Sequence, residues 1–134
     1  MSLKRELTKA ESEVMQILWK KKRAFVQDII DEMTTPKPAY NTVSTVVRVL
    51  EQKGMVNHET FGRAHRYFPT ISKEKYTRGF MKNVITNYFG NSLSQMVSFF
   101  TRQENLSVRE MEEIKQLMEQ KIKANKKEVE RKNK

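Results

Sequence analysis

Cysteine is absent from this sequence of 134 residues, so disulfides, thiolate catalysis and cysteine-ligated zinc are excluded. Glycine (4) and proline (3) are scarce. With Lys, Glu, Leu and Met abundant, that points to helix, and away from a Gly-rich nucleotide-binding α/β enzyme or an all-β sandwich. There are two histidines, His58 and His65, and two aspartates, Asp28 and Asp31. A catalytic triad or metalloenzyme centre would have to be assembled from almost nothing. No Ser-centred elbow, phosphate loop or His-Glu-x-x-His stretch occurs. The expectation is a protein that is not an enzyme, with no cofactor and no metal. No apolar run approaches the ~18 residues that a membrane span needs. The opening MSLKRELTKAESE has no apolar core for a signal peptide. A cytoplasmic chain without membrane insertion is expected.

What is present is positive charge. The 26 basic and 16 acidic residues give +10, a balance that favours a polyanionic partner. The excess is uneven: residues 121–134 alone hold 7 Lys/Arg against 2 Asp/Glu. Half of the charge therefore sits in a tail that solvent alone could account for, and charge by itself does not decide for nucleic acid.

The order of elements is more informative. Thr8 and Glu11 have the spacing of a capping box, and Val14, Ile17 and Leu18, with Met15 and Trp19 beside them, form a helical stripe that ends at Lys20-Lys21-Lys22-Arg23. A short second helix, Val26 to Met33, is expected to bury Val26, Ile29, Ile30 and Met33. Thr34-Thr35-Pro36-Lys37-Pro38 is a turn, with Pro38 suited to the first turn of the next helix. In AYNTVSTVVRVLEQKG, Val43, Val46, Val47 and Leu50 share one face, and Gly54 stops the helix. Met55–Ile71 alternates in the manner of a hairpin that turns at Phe61-Gly62-Arg63. Three helices followed by a hairpin is the order of a winged helix-turn-helix.

In that fold the third helix enters the major groove. Its polar face offers Asn41, Thr42, Ser44, Thr45 and Arg48 to base edges, while Lys37 and Tyr40 lie at the phosphate end. Arg63 and Arg66 on the hairpin are placed to track phosphates or enter a minor groove. Phe61 at the tip is expected to be exposed. His58 and His65 could face each other across the hairpin, but two imidazoles without further ligands do not make a metal site. Two other readings stay open: a winged helix that binds protein alone, and a basic RNA-binding module.

From Ser72 onward three more helices are expected. Their apolar stripes are Phe80, Met81, Val84, Ile85 and Tyr88; then Leu93, Met96, Val97 and Phe100; then Met111, Ile114, Leu117, Met118 and Ile122. Breaks fall at Gly90-Asn91-Ser92 and Gln103-Glu104-Asn105, and Ser107 with Glu110 forms a second capping box. Some sixty residues make a poor core alone, so these faces are expected to meet a second copy. The candidate interface is Phe80, Val84, Tyr88, Leu93, Met96, Val97, Phe100, Met111, Ile114 and Met118. The chain thus reads as mainly α with a small β-hairpin wing. Residues 1–71 form the winged helix-turn-helix, and residues 72–134 the helical dimerisation region with its basic tail.

The segments LTKAESEVMQILW, PKPAYNTVSTVVRVLEQKG, GRAHRYFP, YFGNSLSQMVSFF and ENLS, in that order and spacing, resemble the penicillinase repressor family from about Leu7 to Met118. The resemblance implies a homodimeric winged-helix repressor on a palindromic operator in double-stranded DNA. It implies that Thr42, Thr45 and Arg48 face the groove and that Gly62-Arg63 is the wing motif. Copper-responsive members carry Cys-x-Cys motifs, which this chain lacks, so it resembles the β-lactam type. That type is inactivated by proteolysis, delivered by a membrane metallopeptidase sensor directly or through a downstream protease. The family's cut lies between Asn and Phe; the matching pair here is Phe99-Phe100, with Phe99 in place of the Asn.

Overall fold

The computed structural model describes residues 6–103 and 106–133. Residues Glu104 and Asn105, in the expected second break, lie outside the described residues. By its internal contacts the chain divides into two compact units, Met1–Val84 and Ile85–Lys134.

The first unit begins with α1 (Lys9–Lys21), β1 (Ala24–Phe25), α2 (Val26–Asp31) and α3 (Tyr40–Gln52), followed by β2 (Val56–Phe61) and β3 (Ala64–Pro69). Thr8 and Glu11 close the expected capping box: Glu11 N–H donates to Thr8 Oγ1 at 3.1 Å and Thr8 N–H to Glu11 Oε1 at 3.0 Å. The α1 stripe buries Val14, Met15, Ile17 and Leu18 against Ile29, Val43, Val47, Leu50 and Met55. Each such side chain contributes roughly 1.5–3 kcal/mol by leaving water. This core fixes which face of α3 is left outside.

Two boundaries differ from the sequence reading. α2 ends at Asp31, and Met33 is buried from the turn beyond it. α3 starts at Tyr40 with Ala39 as its N-cap, so Pro38 precedes the helix instead of entering its first turn. The far end of α3 is a Schellman stop: Gly54 has φ +79, Met55 N–H donates to Leu50 O at 3.0 Å, and Gly54 N–H to Glu51 O at 3.0 Å.

The hairpin is part of a three-stranded antiparallel sheet in the order β1-β3-β2. β2 and β3 pair from Val56↔Pro69 to Phe61↔Ala64, leaving Gly62-Arg63 as a two-residue turn with Gly62 at φ +61. β1 pairs Ala24↔Tyr67 and Phe25↔Arg66. This short strand was not expected. It ties the segment between α1 and α2 to the wing.

α4 (Lys73–Tyr88) opens with Lys75 N–H donating to Ser72 Oγ at 3.0 Å. Its first turns belong to the first unit: the Tyr76 ring lies 5.7 Å from Trp19, whose Nε1 donates to Ile71 O at 2.8 Å. The contacts thus divide the chain after Val84, about three turns beyond the boundary expected at Ile71.

In the second unit, Gly90 (φ +57) and Asn91 (φ +65) break the chain ahead of α5 (Leu93–Gln103). The Phe89 ring sits 5.7 Å from Phe99. α6 (Val108–Lys132) starts on a complete Ser107/Glu110 capping box. It stays helical through its charged end to Lys132. No described residue of α4 or α6 is buried.

Candidate nucleic-acid interface

α3 is held from behind by Val43, Val47 and Leu50, which forces the opposite face into solvent. Tyr40, Asn41, Thr42, Thr45 and Arg48 are exposed there, and Ser44 is half-buried at the edge. Thr45 Oγ1 donates to Asn41 O at 2.8 Å. Arg48 Nη2 donates to Thr45 Oγ1 at 3.4 Å, which lays the guanidinium back toward the start of the helix. The face thus presents amide, hydroxyl, methyl and guanidinium groups on a rigid support. Asn41 is suited to adenine, Arg48 to guanine, and the threonine methyls to thymine.

Lys37 is not free. Its ammonium donates to Ile30 O (3.2 Å), Asp31 O (2.9 Å) and Met33 O (3.2 Å). These carbonyls lie at the end of α2, where the partial negative charge of the helix concentrates. All three donors of the ammonium are engaged. The residue that sequence placed at the phosphate end here fastens the turn between α2 and α3.

On the wing, Arg63 is exposed at the turn. Arg66 is differently occupied: Nη2 pairs with Glu59 at 3.1 Å, and the guanidinium lies 4.7 Å over the Phe61 ring. Its Nε is buried without a partner. Glu59 also pairs with Arg23, and Arg23 lies 5.1 Å over Phe68. Hydrogen bonding from Arg66, helped by the Arg23 charge, holds the Glu59 carboxyl below the ordinary range. Phe61 is 47% exposed, as expected of a tip residue, yet its ring also meets Phe25 edge-on at 6.0 Å. Sequence reasoning missed Arg23 and Glu59 as braces of the wing. The missed signal was Ala24-Phe25, an apolar pair directly after the basic run.

His58, half-buried, and His65, exposed, share the sheet face of Tyr67, with ring centroids 4.1 Å apart. His58 Nδ1 and Glu51 Oε2 are 2.7 Å apart, which joins the end of α3 to β2. Among the described residues no group of three or more His, Cys, Asp or Glu could hold a metal ion, and no helix is long and apolar enough to cross a membrane.

Of the expected dimer-face residues, Phe80, Tyr88, Leu93, Val97, Phe100, Met111, Ile114 and Met118 are exposed, and Val84 and Met96 half-buried. Phe99 and Phe100 lie inside α5, both exposed, with rings 6.0 Å apart.

A helix-turn-helix whose second helix shows a polar face, flanked by a three-stranded wing, defines a winged helix-turn-helix protein. The model of the penicillinase repressor family matches residues 7–120. The chain is 30% identical over 116 residues to the penicillinase repressor of Bacillus licheniformis, covering 86% of this chain and 91% of that one. It is 28% identical over 117 residues to the methicillin resistance regulatory protein MecI of Staphylococcus aureus, covering 87% and 95%. The solution structure of the DNA binding domain of the repressor BlaI is also similar, with 32% identity, a TM-score of 0.47, and coverage of 53% of this chain and 88% of that one. The chain belongs to the penicillinase repressor family, a family of repressors and not of enzymes.

Proposed function

We propose that the chain is a sequence-specific transcriptional repressor that binds a palindromic operator in double-stranded DNA as a homodimer. The observation that carries this reading is the exposed polar face of α3, backed by a fully apolar opposite face in a chain of a repressor family. Asn41, Thr42, Ser44, Thr45 and Arg48 read base edges, and Tyr40 and Arg63 touch the backbone. Lys37 holds the turn before α3, and Arg66 braces the wing. The apolar residues left exposed on α4, α5 and α6 pair two copies.

Repression ends when α5 is cut at Phe99-Phe100 by a metallopeptidase sensor of the membrane or a protease acting after it. Cutting there places new charged termini on an apolar face, which is costly to bury. The freed DNA units lose the gain of linkage, typically ~10²–10⁴.

Selection from a pool of random duplexes tests the operator. The expected product is an inverted repeat with half-sites whose centres lie one helical turn, about 10–10.5 base pairs, or a multiple of it, apart. Recovery of no shared sequence would overturn operator reading and leave the winged helix as a protein-binding module.

A further inference from the structure

The basic run at the end of the sequence has no part in the function proposed above. The structure carries it on a continuous helix: α6 extends to Lys132, well past residue 120, where the family match ends. Charge divides along α6 at that point. From Val108 to Gln120, four glutamates stand against Arg109 and Lys115. From Lys121 to Lys132, six basic residues stand against Glu128 and Glu130.

The basic residues are also ordered around the helix. Lys123, Lys127 and Arg131 recur every four positions and so form one row. At 3.6 residues per turn that row lies opposite the stripe of Met111, Ile114, Met118 and Ile122. The row therefore remains available when the apolar stripe is covered. All three residues are exposed. Among the described residues, only Arg131 of the six has an ion pair, with Glu128 at 2.8 Å. Like charges four apart repel; Arg131 in the last turn is favoured by the helix end, and a polyanion would relieve the repulsion between Lys123 and Lys127. The row is about 12 Å long at 1.5 Å per residue, and the same length of duplex carries about seven phosphates.

We propose that the Lys121–Lys132 half of α6 is a second DNA contact, which grips the phosphate backbone flanking the half-site read by α3 without reading bases. The proposal rests on the DNA-binding reading of α3.

The test compares the full-length protein with a variant carrying Lys123→Gln, Lys127→Gln and Arg131→Gln. Dimer mass and helix content are checked first and should be unchanged. Affinity is then titrated against salt on two duplexes, one with long flanks and one trimmed to the half-sites. On the long duplex the slope of log K against log salt should flatten by about five units, near 0.9 for each of the phosphate contacts that the two copies lose. On the trimmed duplex the two proteins should agree. Glu128→Gln with Glu130→Gln should steepen the slope on the long duplex. Equal slopes for wild type and triple variant on long flanks would overturn the contact and leave α3 reading untouched. Loss of binding to phosphatidylserine vesicles with unchanged DNA slopes would assign the row to a membrane surface and overturn it as well. A slope difference without any operator preference would instead overturn the reading of α3 and uphold the contact.

Discussion

Lys53 Nζ donates to Glu11 Oε1 at 2.7 Å across 42 positions of sequence, and so ties the first turn of α1 to the C-cap of α3. The same carboxylate accepts the Thr8 amide that caps α1. Only 8% of the Glu11 side chain is exposed, so it is a charge that needs its partner. Burial pushes the Glu11 carboxyl up, but the Lys53 hydrogen bond and charge and the Thr8 backbone amide outweigh it, and its pKa lies below the ordinary value. A depressed carboxylate stabilises the fold fully above the ordinary carboxylate range, and that contribution is lost as pH falls through the folded pKa. Lys53→Met should cost about 1–3 kcal/mol at neutral pH and flatten the acid side of the stability curve. Denaturant unfolding at several pH values from about 3 to 7 checks both.

Lys37→Met should lower stability by about 1 kcal/mol, because the carbonyls that it caps can turn to water instead. Its larger effect should fall on sequence preference, since the ammonium fastens the turn that aims α3. Affinity for operator over random duplex should drop with the salt slope unchanged. A direct phosphate contact would instead lower the slope by about two, one for each copy, on every sequence. Salt titrations on the two duplexes separate these outcomes.

The residues explain how far the sequence could be read. α1 and α3 were legible because capping boxes, apolar stripes and Gly54 are local signals. The polar face of α3 followed directly, since a buried Val43/Val47/Leu50 stripe leaves no other side for Asn41, Thr45 and Arg48. β1 was not legible: two residues cannot show a period, and only pairing with Tyr67 and Arg66 makes them a strand. The task of Lys37 depends on where a turn folds back, which no spacing reveals. For the same reason the sequence placed Arg66 toward phosphates or a minor groove without showing that Glu59 and Phe61 engage it on the sheet. The first turns of α4 looked like the start of a separate region because Trp19 and Tyr76 meet only in three dimensions.

That last contact sets where the DNA-binding unit should be cut. A fragment ending at Ile71 loses the Tyr76 ring from Trp19, whereas one ending at Val84 keeps it. Such an aromatic pair contributes about 0.5–1.5 kcal/mol beyond the area it buries. The longer fragment should therefore be more stable by about 1–2 kcal/mol. Thermal melts of the two fragments at equal concentration measure this directly.

Val97→Glu combined with Met118→Glu places like charges on two exposed apolar faces, those of α5 and α6. If two copies meet there, the charges must be buried and association fails. Sedimentation should give twice the chain mass for the wild type and a single chain mass for the variant. Operator affinity should fall by roughly 10²–10⁴ as linkage is lost. A variant that still sediments at twice the chain mass would show that copies pair elsewhere.

Whether the exposed face of α3 reads duplex DNA is decided by footprinting a selected operator with the wild type and with Thr45→Ala combined with Arg48→Ala. Both side chains are exposed, so the fold and sedimentation of the variant should be unchanged. Each good base contact carries about 1–3 kcal/mol of discrimination, so the double change should raise the protein concentration needed for protection by a factor of about 10² or more. Its protection should also no longer distinguish operator from flanking sequence. An unaltered footprint at unaltered concentration would exclude base reading by α3.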